Sequence, residues 1–246
     1  MEALSTIFED RLQEIEAYLD LLDLFEQEVH RGPPRIAGTP VTSQQQKIMY
    51  ASVYLQLYNL VEATATWCID AVARAVADGE RWQPAHLSEE VRREWIRTTA
   101  RTHTNLNFEH RLQQTVDICD WLLKASPVTE WAVEKGGGGN WDDVLIEEMT
   151  TRIGCELIIT NEVYRGIKRT IRDDKSALTL VKYLRNKLAH GEISFSECGQ
   201  GVTVVDLREM KNRAASYLRE VIAAFQTYID GFKFLLPTCR PAGGAT

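Results

Sequence analysis

The stretch from Gln44 to Ala77 constrains the fold more than any other part of the chain. Ile48, Val53, Leu57, Leu60, Val61, Trp67, Ile69, Val72 and Val76 fall at helical spacings but spread round more than one face. A helix that is apolar on several faces must be covered on several faces, so this segment reads as the central member of a helical bundle. Thr42 or Ser43 is placed to cap its start, and Gly79 to end it.

Both ends of the chain supply partners for it. Leu4, Phe8, Leu12, Ile15, Leu19, Leu22, Phe25 and Val29 form one stripe on a long helix that stops at Gly32-Pro33-Pro34. Leu207, Met210, Ala214, Leu218, Val221, Ile222, Phe225, Ile229 and Phe232 repeat the spacing near the other end. Asp206 and Glu209 there resemble a capping box, and Pro237 is the expected stop. A third apolar helix, with Ala177, Leu178, Leu180, Val181, Leu184 and Leu188 on its core side, follows Asp173-Asp174 and runs out at His190-Gly191. The segment from Gly191 to Gly201 reads as a loop. The expectation is an all-α bundle in a single domain, 1–246, with the terminal helices enclosing the one that ends at His190.

The middle, about 80–160, reads as a helical insertion between core regions at about 1–79 and 161–236. It has a helix capped by Ser88, another from about Asn107 to Lys124, and a third that starts at Asp142 or Asp143 and ends before Gly154. Leu157-Ile158-Ile159 suits a short strand or turn. The Gly136-to-Gly139 loop lacks the Gly-Lys-Ser/Thr ending that would cradle a nucleotide phosphate. His103 and His110 have no third ligand at a zinc-binding spacing.

With 44% hydrophobic residues in 246, the chain has ample material for a packed core. The start, Met1-Glu2-Ala3-Leu4, has no secretory pattern, and no apolar run approaches the ~18 residues a membrane span needs. Five scattered cysteines without a CxxC pair suggest reduced thiols in a cytoplasm rather than a disulfide frame or a metal site. A net charge of −7 is the wrong sign for a protein that coats nucleic acid. The distribution differs locally. Arg165, Lys168, Arg169, Arg172, Lys175, Lys182, Arg185 and Lys187 meet only Asp173 and Asp174 between them, a run suited to a phosphate site.

That run leads into Arg185-Asn186-Lys187-Leu188-Ala189-His190. Arginine offers a planar, permanently charged fork for phosphate oxygens, and histidine moves a proton near neutral pH. Together they can cleave a phosphodiester without a metal. Asn186 lies one turn before His190, where its amide can hold one ring nitrogen. Positions five apart, however, diverge by roughly 140° on a helix. Either His190 leaves the helical path as Gly191 takes a left-handed cap, or a second copy of the helix supplies the missing partner. The same His-Gly pair also suits an ordinary helix terminus. Glu62, a carboxylate among Leu60, Val61 and Ala63, needs a partner if buried, with Arg185 a candidate, and can orient Arg185 or His190.

Arg185-Asn186 followed at His190 resembles the Arg-polar-His signature of the HEPN superfamily of ribonucleases. Three blocks are similar to the MAE-type (RiboL-PSP-HEPN) members: Tyr58 to Thr64, Gly138-Gly139-Asn140-Trp141-Asp142, and His190 to Phe195. The resemblance implies a HEPN-type bundle working as a homodimer. It also implies a metal-independent, cofactor-free endoribonuclease with Arg185, Asn186 and His190 catalytic, Glu62 in support, and Lys182 and Lys187 holding substrate. Such an enzyme serves as a toxin restrained by an antitoxin or other partner, or in phage defence. The alternative is a non-catalytic HEPN module that binds RNA, a nucleotide or a partner protein.

Overall fold

The computed structural model describes residues 2–29, 32–101, 107–135 and 140–241. In chain order the helices are α1 (Glu2–Val29), α2 (Ser43–Ala77), α3 (Glu89–Thr99), α4 (Phe108–Leu123), α5 (Asp143–Arg152), α6 (Asn161–Lys168), α7 (Ala177–Ala189), α8 (Phe195–Cys198) and α9 (Val204–Asp230). Besides three short 3-10 turns there are two small antiparallel hairpins: β1 (Arg35–Ile36) with β2 (Thr39–Pro40), and β3 (Thr170–Arg172) with β4 (Lys175–Ser176).

α2 is the axis of the molecule, packing against α1, α7, α8 and α9. Its apolar residues are covered on several sides, from Tyr50 and Val53 to Val72 and Val76. The start is a full capping box: the Thr42 hydroxyl accepts from the Gln45 N–H, and the Gln45 side chain accepts from the Thr42 N–H. The α1 stripe is buried from Leu4 to Leu22. Its acidic side meets basic residues of α9. Arg219 donates to Glu9 at 2.7 Å, Arg208 reaches Asp20 at 2.6 Å, and both Arg208 and Lys211 bond Glu16. Much of the acidity of the N-terminal helix is thus answered within the chain.

Several expected boundaries shift. α9 begins at Val204 because Thr203, not Asp206, is the cap, with Asp206 serving as the third residue of the box. It ends at Gly231 rather than Pro237. The span after His190 is not all loop, since Ser194 and Glu197 form a capping box that starts α8. Asp173 and Asp174 sit in the left-handed region as the turn of the β3–β4 hairpin. α2 rather than α1 joins α9 in flanking α7. The stretch Leu157 to Ile159 has no regular structure. His103, Gly136 to Gly139 and the tail beyond Pro241 lie outside the described residues.

The middle segment shares the main core through Val91, Trp95, Trp141, Ile146 and Met149. One ion pair there is buried. Glu94, 2% exposed, receives Arg152 at 2.6 Å, and Arg152 also donates to the Glu134 carbonyl at 3.0 Å. α4 is different: none of its residues is buried, and Phe108 and Leu123 are largely exposed. All five cysteines are free thiols. Burial pushes those of Cys68 and Cys155 up, and that of Cys198 up to about 11. Among the described residues no helix is long and apolar enough to cross a membrane.

α8 is pressed onto α2 at Gly199, where a Cβ would lie 2.0 Å from the Lys47 carbonyl oxygen. The obstacle is backbone and cannot swing aside. Gly199→Ala is expected to lower stability by about 1–3 kcal/mol or more, read as a lower urea midpoint. A midpoint equal to wild type would show that the two helices are not in such close contact.

Candidate functional site

α7 terminates at the expected residue, but not in a way that redirects the histidine. Gly191 takes φ +70°, Glu192 N–H donates to the Lys187 carbonyl at 2.9 Å, and Gly191 N–H donates to the Leu188 carbonyl at 3.2 Å. These are the paired bonds of a Schellman cap. His190 itself keeps φ −90° and ψ −1°, still right-handed. The chain turns one residue too late to move the imidazole off the helical path. The first of the two expected routes to convergence is therefore not taken. His190 remains roughly 140° round the helix from Arg185. It is exposed, and no hydrogen bond or ion pair reaches its ring among the described residues.

Arg185 turns the other way, towards α2. Its guanidinium lies 4.4 Å over the ring of Tyr58, which is 1% exposed. Arg185 Nη1 donates to Asn186 Oδ1 at 2.9 Å, and Asn186 Nδ2 donates to Asn140 Oδ1 at 2.8 Å. Both ends of the Asn186 amide are occupied, so the expected Asn186–His190 bond is not formed. A bond to a charged donor is the stronger claim on the carbonyl oxygen. Among the described residues, no carboxylate lies within ion-pair distance of Arg185. Arg152, Arg208 and Arg219 by contrast each have one.

The neighbouring loop completes the arrangement. Trp141 N–H donates to the Tyr58 hydroxyl at 3.3 Å. Asp142, nearly buried, caps α5 by accepting from Leu145 N–H at 3.0 Å and takes the Lys182 ammonium on its other oxygen. Burial is the main force holding the Tyr58 hydroxyl above its ordinary pKa. The charge of Glu62 pushes the same way, while the Trp141 N–H and Arg185 push against it.

The other expected residues are distributed as follows. Glu62 is only half-buried and has no ion pair among the described residues, so the expected pairing with Arg185 is replaced by the stack on Tyr58. Lys182 spends its charge on Asp142, and Lys168 from the same basic run spends its own on Asp143 and Glu147 at 2.6 and 2.9 Å. Lys187 lies 4.9 Å over the Tyr183 ring and 4.0 Å from Glu192, and its hydrogen bond with Tyr183 holds it above the usual lysine range. Lys175 covers the same ring at 4.4 Å. The cationic side chains nearest the end of α7 that are not paired with buried carboxylates are therefore Arg185, Lys187 and Lys175.

The fold is an all-α bundle that stacks an arginine of α7 on its central helix, with an exposed histidine five residues further on. The family model of the MAE_28990-like HEPN proteins matches residues 1–234, and the chain belongs to that HEPN family. No curated protein and no solved structure matches it. Tyr58 from the first of the three resembling blocks and Asn140 to Asp142 from the second meet Arg185 and Asn186 here, while the third, His190 to Phe195, lies beyond them. Sequence reasoning left Tyr58 and Asn140 without roles. Their membership of blocks flanking a lone arginine is the signal that points to them.

The Gly191 Cβ position is open, with nothing within 4 Å, so only its backbone conformation resists substitution. Gly191→Ala should cost about 1–2 kcal/mol of stability, measured by urea unfolding. No loss would mean that α7 does not end in a left-handed cap.

Proposed function

We propose that the chain is a metal-independent endoribonuclease that works as a homodimer. The observation that carries this reading is the state of Arg185: oriented by a ring and an amide, but without a carboxylate partner among the described residues, five residues before an exposed histidine. A charge held in place without a carboxylate partner is ready for an anion, and the planar fork suits a phosphate. Because His190 and Arg185 diverge on one helix, a second protomer related by a two-fold axis brings the imidazole of one chain to the guanidinium of the other.

In this reading one His190 takes the proton from a ribose 2′-hydroxyl, and that oxygen attacks the adjacent phosphorus. The bond to the 5′-oxygen breaks, and the departing oxygen takes a proton from water. Arg185 binds the phosphate and stabilises the added negative charge. Asn186 holds Arg185 rather than His190. Lys187 and Lys175 attract the flanking strand, and Lys182 acts through Asp142 rather than on RNA. The products are a 2′,3′-cyclic phosphate and a 5′-hydroxyl, and DNA is not cut because it lacks the attacking hydroxyl. A toxin or phage-defence enzyme restrained by an antitoxin or other partner protein, in the cytoplasm, is the setting that this activity suits.

Purified protein incubated with RNA in EDTA tests the proposal. Wild type is expected to leave cyclic phosphate ends, and His190→Ala and Arg185→Ala should each lose at least ~100-fold in rate. Mixing the two inactive variants should restore part of the activity, since one intact pair forms across the dimer. Equal survival of RNA with wild type and His190→Ala, once any bound inhibitor is removed, would overturn it.

A second reading, a non-catalytic HEPN module that binds RNA, a nucleotide or a partner protein, draws on the pairing of Lys182 and Lys168 with carboxylates and on the net charge of −7. It predicts binding that survives both substitutions and no cleavage by wild type.

A further inference from the structure

We infer that Asn140, Trp141 and Asp142 form a strap that orients the Arg185 guanidinium, and that Asn140 is a positioning residue acting on it through Asn186. Three consecutive residues each grip a different point. Asn140 accepts from Asn186 at 2.8 Å, Trp141 N–H donates to the Tyr58 hydroxyl at 3.3 Å, and Asp142 holds Lys182. Lys182 and Asn186 are four apart on α7, so the strap runs along one face of that helix. Two of its three residues are also fixed by other contacts: the Trp141 side chain is 3% exposed, and Asp142 caps α5.

Polarity makes this chain of bonds directional. Arginine has donors only, so the Asn186 carbonyl oxygen must face it. The Asn186 amide nitrogen is then turned to Asn140, which must present its own oxygen. Reversing either amide sets donor against donor or acceptor against acceptor. The two supports of Arg185 consequently do different work. The face of Tyr58 fixes the plane of the guanidinium, and the Asn186 oxygen fixes its rotation within that plane. Asn140 is what keeps that oxygen turned towards the arginine. Without it the Asn186 amide is free to swing to water or to His190. Asn140 is exposed and Asn186 partly so, which makes their bond a small contributor to stability and a larger one to geometry.

The activity arm of the test rests on the ribonuclease reading, and the spectroscopic arm does not. Asn140→Ala is expected to lower kcat roughly 10- to 100-fold, the scale of a misplaced catalytic group, with KM and the melting temperature little changed. Asn140→Asp, which keeps an accepting oxygen, should regain most of that loss. Adding Asn140→Ala to Asn186→Ala should cost nothing further, because the two act in series. In parallel, the Arg185 Nε–Hε resonance of wild type should show the upfield shift of a proton over an aromatic ring, and Asn140→Ala should move it towards the free-arginine position. An active enzyme in which Asn140→Ala leaves kcat unchanged overturns the strap. So does an unmoved Arg185 resonance in that variant, whether or not wild type cleaves RNA. If wild type is inactive but the resonance moves as expected, the strap stands and the nuclease reading falls.

Discussion

An arginine half-enclosed in a helical bundle needs some answer to its charge, and the answer given to Arg185 sets the character of the site. For several other arginines the answer is a carboxylate, Glu94 for Arg152, Asp20 for Arg208 and Glu9 for Arg219, while Arg92 is held by the backbone carbonyls of Pro84, Ala85 and Leu87. Each of those pairs cancels a charge and holds two elements together. Arg185 receives instead the face of Tyr58 and one amide oxygen. A ring quadrupole and a neutral oxygen orient a cation without cancelling it. The energy gained is smaller than that of an ion pair, and the positive charge left for an incoming anion is larger. A structural arginine is better served by the first arrangement, an anion-binding one by the second.

The overall disposition of charge follows the same division. The chain is acidic in sum, yet the acids of α1 are turned onto the bases of α9, and those at the start of α5 onto Lys168 and Lys182. Beyond about 8 Å, exposed charges are largely screened at physiological salt. The local charge near the end of α7 is therefore set by Arg185, Lys187 and Lys175, with Glu192 beside Lys187, rather than by the net −7. The basic run that ends at Lys187 overstated this field, because two of its lysines are occupied in anchoring α5. Nothing in their sequence distinguishes a lysine that faces solvent from one that faces a carboxylate forty residues earlier.

The bundle was legible because helical periodicity is local. The apolar faces of α1, α2, α7 and α9 are recorded in spacings of three and four, and the caps at Thr42, Ser88 and Asn107 fall within three residues of the groups they satisfy. The errors arose where two local signals competed. Thr203 and Asp206 each have an acid three residues on, and the cap is Thr203, with Asp206 as its partner inside the helix. The site was legible only in part. Arg185 and His190 announce themselves by residue type, but the Tyr58 ring and the Asn140 amide act across separations in sequence that only packing brings together. Glu62 shows the converse: one turn from Tyr58, it attracted attention that belonged to its neighbour.

The termination of α7 bears most directly on how such a site can work. Had His190 adopted the left-handed conformation itself, the imidazole would have swung free of the helical path that holds it away from Arg185. The left-handed residue is Gly191, and the Schellman bonds from Gly191 and Glu192 lock His190 into the last helical turn. Arg185 is meanwhile turned inward onto α2. Within one chain the two groups are thus held apart by the same backbone bonds that give each its position. For the proposed reaction convergence comes from outside the chain, and a two-fold copy is the simplest source, because it presents the same exposed histidine to the same oriented arginine twice over.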